Sequence, residues 1–312
     1  MKTRKLGTTG IELSEIGLGT NYVGGHNLYQ GVDENEGERL VRQALDEGIT
    51  FFDTADVYGD GRCEELLGKA LSGCGDQIVL ATKGGIVPGK SADDPARLNN
   101  GPAYLRAALQ ASLRRLGRDS VDLYYLHRPD GRTPPEESIG TLLRFKQEGL
   151  IRAVGVSNHT TAEIAAALRV GPIDAVQGRY NLFQREAESE TLGLCRAHGI
   201  SFIPWGPLAY GLLGGRYAPD FRLPAGDWRS RTGLFDSGCY QRNLQVVERL
   251  KALAANKGTT PAALAIRWLL SRAELGSVIA GAKNAAQVRQ NALAQFVELQ
   301  AEDVAAIDAL SG

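Results

Sequence analysis

The sequence predicts an α/β protein whose strands close into a (β/α)8 TIM barrel, and three observations predict it. Short apolar runs alternate eight times with amphipathic helical stretches, the pattern of parallel strands joined by helical crossovers. A length of 312 residues accommodates a barrel with a hairpin, two long loops and extra helices. The competing doubly wound sheet wants a Gly-x-Gly-x-x-Gly turn after its first strand and a division into halves. Here the first strand has only Gly17 and Gly19 and no composition shift follows, so residues 1–312 are expected to form a single domain.

In order, Lys2 to Leu6 and Ile11 to Ser14 flank Gly7-Thr8-Thr9-Gly10, a hairpin signal ahead of the barrel. Barrel strands are expected at 16–20, 50–53, 77–82, 121–126, 151–156, 175–177, 201–204 and 277–280. Helices are expected at 34–47, 64–71, 102–116, 136–147, 160–168, 186–198, 241–256 and 261–272. Two further helices, 284–293 and 303–310, close the chain. Pro102 suits a first helical turn, and Thr160 or Thr161 with Glu163 reads as a cap.

Composition narrows the function. Apolar residues at 43%, charged residues at 23% and a net charge of −1 describe an ordinary globular chain with no basic surplus for nucleic acid or anionic lipid. The four cysteines are scattered, as reduced thiols in a cytosolic protein are, and no His/Cys/carboxylate cluster has metal spacing. No apolar segment follows Met1-Lys2-Thr3-Arg4-Lys5, and Pro261 to Leu270 is too short to span a bilayer. A cytoplasmic protein without membrane or nucleic-acid partners is expected.

In a barrel, chemistry gathers where strands end at their carboxyl termini. Those ends carry Thr20, Asp53, Lys83, His127, Ser157-Asn158, Gln177, Trp205 and Lys283. Singly, each has a plain explanation: Asp53-Thr54 as a turn, Lys83 as a solvated lysine, Ser157-Asn158 as a helix cap, Trp205 as core. Their coincidence on one face points to a site. Tyr58, on the loop after Asp53, can donate a proton to a carbonyl oxygen, although a free tyrosine has a pKa of about 10. An ammonium at about 4 Å and an effective dielectric near 20 contributes about 4 kcal/mol, so Lys83 alone is expected to lower that pKa. Asp53 then holds Lys83, and His127 positions the carbonyl.

These residues resemble the aldo-keto reductases along the whole chain. The resemblance rests on Gly17-Leu18-Gly19-Thr20, Asp53-Thr54-Ala55 with Tyr58-Gly59, Ala81-Thr82-Lys83, and Tyr125-Leu126-His127. It continues through Gly155-Val156-Ser157-Asn158, Val176-Gln177, Pro207-Leu208 with Gly211, and Gly281-Ala282-Lys283 with Gln287 and Asn291. Thr20-Asn21 with the segment from Val23 to Tyr29 is most similar to the bacterial inositol-operon-associated (IolS-like) reductases.

The resemblance implies an oxidoreductase reducing small aldehydes or ketones, or oxidising the matching alcohols, sugars or polyols, with NADPH or alternatively NADH. Tyr58 falls at the family's general acid, with Asp53, Lys83 and His127 beside it. Gly19 and Thr20 border the cofactor, and Ser157, Asn158 and Gln177 fall where the nicotinamide carboxamide is held. Trp205 stands at the aromatic that stacks on the nicotinamide, a position usually filled by tyrosine. Pro207 and Leu208 lie in the segment that wraps the pyrophosphate, Arg216 contacts it, and Gly206 and Gly211 are further cofactor-binding positions. Gly281 and Ala282 also fall among the cofactor-binding positions, Lys283 and Asn284 meet the adenosine 2′-phosphate, and a cation there favours NADPH. Gln287, Gln290 and Asn291 lie near the adenine; Gln290 replaces a frequent glutamate and implies a weaker contact.

Tyr22, His26, the loop from Gly84 to Gly101 and the segment from Ala209 to Cys239 are expected to wall the substrate pocket. The chain stops soon after Leu310, where longer relatives carry another loop, which implies an open pocket and small or broad substrates. A monomer or weak homo-oligomer is expected. One rival keeps the fold as a cofactor-binding regulatory protein with little turnover; the other is a barrel hydrolase or lyase that binds no nicotinamide.

Overall fold

The computed structural model describes residues 1–89 and 95–311. Strands β1 (Thr3–Lys5) and β2 (Glu12–Ser14) form an antiparallel hairpin. Eight parallel barrel strands follow: β3 (Ile16–Gly19), β4 (Phe51–Asp53), β5 (Val79–Gly84), β8 (Val121–Leu126), β9 (Ile151–Ser157), β10 (Ala175–Arg179), β11 (Ser201–Trp205) and β12 (Val278–Gly281). Two short strands, β6 (Ile86–Val87) and β7 (Arg97–Leu98), make a second antiparallel pair inside the loop after β5. The helices are α1 (Glu34–Asp46), α2 (Arg62–Ala70), α3 (Pro102–Leu116), α4 (Pro135–Gln147), α5 (Thr161–Val170), α6 (Thr191–His198), α7 (Ser237–Asn256), α8 (Pro261–Leu269), α9 (Ala285–Ala292) and α10 (Ala301–Asp308).

The barrel strands run β11-β10-β9-β8-β5-β4-β3-β12. Closure comes from Phe202 in β11, whose N–H donates to the Glu274 carbonyl at 2.8 Å and whose carbonyl accepts from Gly276 at 3.0 Å. The expected (β/α)8 barrel with its hairpin is therefore present. Among the described residues, no helix is long and apolar enough to cross a membrane.

A period of two along each strand separates two cores. Phe51, Val79, Ala81, Leu123, Tyr125, Ala153, Ala175, Ile203 and Ile279 fill the interior, and the hairpin residues Leu6, Ile11 and Leu13 close its floor. The intervening Phe52, Leu80, Tyr124, Val154, Val176 and Phe202 face the helices. Two glycines make room for interior rings. A Cβ on Gly17 would lie 2.6 Å from the Phe51 ring, and one on Gly155 would lie 2.4 Å from the Tyr125 ring. Continuing the same alternation upward puts Asp53 above Phe51, Lys83 above Ala81, His127 above Tyr125, Gln177 above Ala175 and Trp205 above Ile203. The interior packing thus sets which residues reach the open end.

Some boundaries depart from expectation. The strand expected at 77–82 is Val79–Gly84, because Gly75–Gln77 forms a 3₁₀ turn, so Lys83 lies inside the strand. The helix expected at 186–198 divides into a 3₁₀ turn, Glu186–Glu188, and α6; Glu188 is turned back onto Arg185 and Tyr180 before the helix begins. The strands expected to end at Gln177 and Pro204 run two and one residues further, since Gly178 and Arg179 pair with Pro204 and Trp205.

Helix α1 rests on the loop after β3 through Gly37, where a Cβ would meet the Val23 carbonyl oxygen at 2.1 Å. Helix propensity alone favours Gly37→Ala by about 1 kcal/mol. The backbone clash reverses that sign: Gly37→Ala should destabilise by about 1–3 kcal/mol, read as a lower urea midpoint. A raised midpoint would contradict this packing.

Candidate active site

The β4–β5 register sets Asp53 opposite Ala81, and Lys83 lies two residues on, on the same inward face. Lys83 Nζ donates to Asp53 Oδ1 at 2.5 Å and to the Thr54 carbonyl at 2.7 Å, and its side chain is fully buried. From β10, across the barrel, Gln177 Nε2 donates to Asp53 Oδ2 at 2.9 Å. Burial opposes the ammonium, but the Asp53 charge and the Tyr58 phenol outweigh it and hold Lys83 above its ordinary pKa. Burial pushes the Asp53 carboxyl up, against the pull of Lys83 and Gln177.

Tyr58 opens the 3₁₀ turn Tyr58–Gly61. Gly59 takes φ +58° there, and a Cβ would lie 2.0 Å from the Gly24 carbonyl oxygen. Asn27 clamps the turn from the loop after β3. Its Nδ2 donates to the Val57 carbonyl at 2.8 Å, and its Oδ1 accepts from the Gly59 N–H at 2.8 Å. Lys83 Nζ lies 5.3 Å from the Tyr58 ring centre, and the His127 ring stands edge-on with centroids 6.0 Å apart.

One electrostatic expectation is corrected here. Burial holds the Tyr58 phenol above its ordinary pKa, with Lys83 the largest opposing influence. The pairwise Coulomb argument omitted desolvation, which favours the neutral phenol. Tyr58 is consequently a loaded proton donor throughout the neutral range. Burial, followed by the Lys83 and Arg128 charges, pushes His127 well below the usual histidine value, so its ring is neutral. Its Nδ1 is buried without a hydrogen-bond partner among the described residues.

Beside this group, Ser157, Asn158, Gln177 and Trp205 bond one another. Ser157 Oγ donates to Gln177 Oε1 at 3.4 Å, and Asn158 Nδ2 donates to Ser157 Oγ at 2.9 Å and to the His127 carbonyl at 3.1 Å. The Trp205 indole N–H donates to Asn158 Oδ1 at 3.2 Å. Asn158 adopts φ +58°, a conformation asparagine tolerates better than most residues.

These groups border a cleft of about 710 Å³ that runs on past Gly206, Pro207, Leu208 and Gly211 to Gly281, Ala282 and Lys283. Gly19, Thr20, Tyr22, Arg216, Gln287, Gln290 and Asn291 also line it. The Lys283 ammonium lies 5.7 Å from the Tyr22 ring centre and 5.4 Å from that of Tyr29. Arg216 donates to Gln290 Oε1 at 2.9 Å, and Gln287 Oε1 accepts from the Lys283 N–H at 2.8 Å. Four expected residues lie outside the lining: Lys83 is fully buried beneath it, and three others are placed elsewhere. Ser157 is buried behind it, Asn284 caps α9, and His26 is bound to Glu34 at 3.0 Å, half exposed. Within the loop expected to wall the pocket, residues 90–94 lie outside the described residues.

Ile86 from the loop 84–101 and Tyr217, Trp228 and Arg229 from the segment 209–239 line the cleft where walls were expected, whereas sequence reasoning missed Leu28, Tyr29 and Arg128, which also line it. Arg128 adjoined a recognised strand end; the others come from loops without a local signal. Among the described residues, Asp53, bound to Lys83, is the one acidic lining residue, against Arg128, Arg216, Arg229 and Lys283. A polar, aromatic-walled end and a cationic end fit a dinucleotide with its phosphates. Among the described residues, no group of three or more His, Cys, Asp or Glu side chains is arranged to hold a metal ion.

Residues 15–311 match the Aldo/keto reductase family. A curated relative described as probable aldo-keto reductase 1 of Glycine max is 35% identical over 302 residues, covering 96% of this chain and 86% of its own. The glycerol dehydrogenase AKR11B4 from Gluconobacter oxydans superposes with a TM-score of 0.91 at 32% identity, covering 99% of this chain and 94% of that one. The holo form of the aldo-keto reductase AKR11C1 from Bacillus halodurans gives 0.85 at 31% identity, covering 100% and 97%. The fold and cleft are those of a nicotinamide-dependent oxidoreductase acting on a small molecule. The chain belongs to the aldo/keto reductase family.

Behind the cleft, Asp56 is buried with Oδ1 unpartnered among the described residues, and burial together with the Glu64 charge raises its pKa to about 8. An unfolded aspartate titrates near 3.9. Between those values the folded chain keeps a proton that the unfolded chain releases, so stability falls as pH rises from about 4 to about 8. The slope is at most about 1.4 kcal/mol per pH unit. Asp56→Asn should flatten this decline in urea midpoints; an unchanged slope would place the loss elsewhere.

Proposed function

We propose that this chain reduces small aldehydes or ketones, or oxidises the corresponding alcohols, with Tyr58 as general acid/base and NADPH as the favoured cofactor. The observation that carries the proposal is a protonated phenol set between a buried ammonium and a neutral imidazole, all at one end of a dinucleotide-sized cleft. Bound nicotinamide supplies or accepts the hydride. Tyr58 gives its proton to the carbonyl oxygen, and Lys83 stabilises the phenolate left behind. Asp53 keeps Lys83 charged and aimed. His127, being neutral, offers a ring N–H to the carbonyl oxygen. In the alcohol-to-carbonyl direction the phenolate takes the proton back.

In this proposal Ser157, Asn158 and Gln177 present the carboxamide site, and Trp205 presents a ring face whose N–H is already committed to Asn158. Lys283 and Arg216 meet the phosphates at the far end, with Asn284, Gln287, Gln290 and Asn291 around the adenosine. The whole chain acts as one cytoplasmic catalytic domain. Similarity to a glycerol dehydrogenase supports a polyol as one alcohol substrate.

Two experiments test this reading. Tyr58→Phe should lower kcat for carbonyl reduction by about 10²-fold or more while NADPH still quenches tryptophan fluorescence, and equal rates for the two proteins would remove Tyr58 from the chemistry. Lys283→Met should raise the Kd for NADPH by about 10- to 100-fold and spare NADH, since it removes one charge-assisted phosphate contact. An equal loss for both cofactors would detach Lys283 from the 2′-phosphate.

A further inference from the structure

The geometry points to Arg128 as the residue that selects carbonyl substrates bearing a terminal oxyanion, carboxylate or phosphate, an inference that rests on the carbonyl reductase reading above. Arg128 follows His127 directly at the end of β8 and lines the same cleft as Tyr58. It is exposed and makes no hydrogen bond or ion pair with the described residues. The nearest acid in the chain, Asp130, is occupied elsewhere. Its carboxylate accepts from the N–H groups of Asn100 at 2.9 Å, Arg132 at 2.9 Å and Thr133 at 2.8 Å.

The other three cleft cations are engaged and lie elsewhere. Arg229 is bound to Asp227 at 2.6 Å, Arg216 to Gln290, and Lys283 sits against two tyrosine rings. All three follow β11 or β12. Strand β8 stands three places from β11 and four from β12 in the barrel, between β5 and β9. Arg128 is therefore on the arc that carries Lys83 and His127, away from the cationic end assigned to the cofactor phosphates. Ile86 and Val57 line the same cleft, suiting a short aliphatic linker between a carbonyl at Tyr58 and an anion at the guanidinium. A guanidinium matches carboxylate or phosphate through paired N–H donors, and its field acts on a cleft where Asp53, the one acid among the described lining residues, is already neutralised by Lys83.

The test uses the NADPH-loaded enzyme with two matched pairs: butanal against 4-oxobutanoate, and glyceraldehyde against glyceraldehyde 3-phosphate. Wild type should favour the anionic member of at least one pair by about 10-fold or more in kcat/KM, and the favoured pair identifies carboxylate or phosphate. Arg128→Gln should collapse that preference by about 10- to 100-fold, mainly through KM, and Arg128→Lys should restore part of it. An anionic-to-neutral ratio near one in wild type, or one unchanged in Arg128→Gln, would overturn the inference. So would an Arg128→Gln protein that loses NADPH affinity, because Arg128 would then serve the cofactor. If wild type turns over none of the four, the carbonyl reductase reading itself fails; turnover of neutral aldehydes without anion selectivity removes only the role of Arg128.

Discussion

The open end of the barrel depends on an ammonium that has no contact with water. Lys83 is fully buried, and an isolated buried charge would cost several kcal/mol. It is tolerable because adjacent parallel strands set Asp53 within 2.5 Å and turn the Thr54 carbonyl toward it. Removing one partner of such a pair costs about 3–5 kcal/mol, since the other is left buried and uncompensated. Asp53 and Lys83 are thus a structural pair before they are anything chemical. Tyr58 inherits its environment from them: desolvation keeps the phenol protonated, and Lys83 limits how far its pKa climbs.

The same pair reaches the cofactor side through a continuous set of hydrogen bonds. Asp53 accepts from Gln177, Gln177 from Ser157, Ser157 from Asn158, and Asn158 from the Trp205 indole. The side chains that would receive a nicotinamide are therefore oriented by the group that would protonate its partner. A tryptophan at this position adds a donor that holds Asn158, besides its ring face. At the other end, Tyr22 and Tyr29 from the loop after β3 and Arg229 from the segment after β11 approach Lys283. That gives the cleft walls from both sides of the β12 terminus.

Much of this was legible in the sequence because a parallel barrel obeys two simple periodicities. Apolar runs located the eight strands, and residues two apart share a face, so Asp53, Lys83, His127, Gln177 and Trp205 could be collected as strand ends. What escaped depended on three-dimensional proximity. Strand β5 begins two residues late because a 3₁₀ turn precedes it, which moves Lys83 from a loop into the strand. The direction of the Tyr58 shift is set by burial, which no spacing reveals. His26 stood within the loop that walls the cleft, yet Glu34 draws it away. Its neighbour Asn27, unremarkable in sequence, instead clamps the turn that carries Tyr58.

The central claim is that the buried Lys83 charge governs the protonation of Tyr58, and tyrosinate titration tests it most directly. The Tyr58 signal is obtained as the difference in ultraviolet tyrosinate absorbance between a protein and its Tyr58→Phe counterpart, in wild-type and Lys83→Met backgrounds of matched near-ultraviolet circular dichroism. Removing the ammonium should move the Tyr58 midpoint to higher pH by about one unit or more. An unchanged or lower midpoint in Lys83→Met would contradict the account.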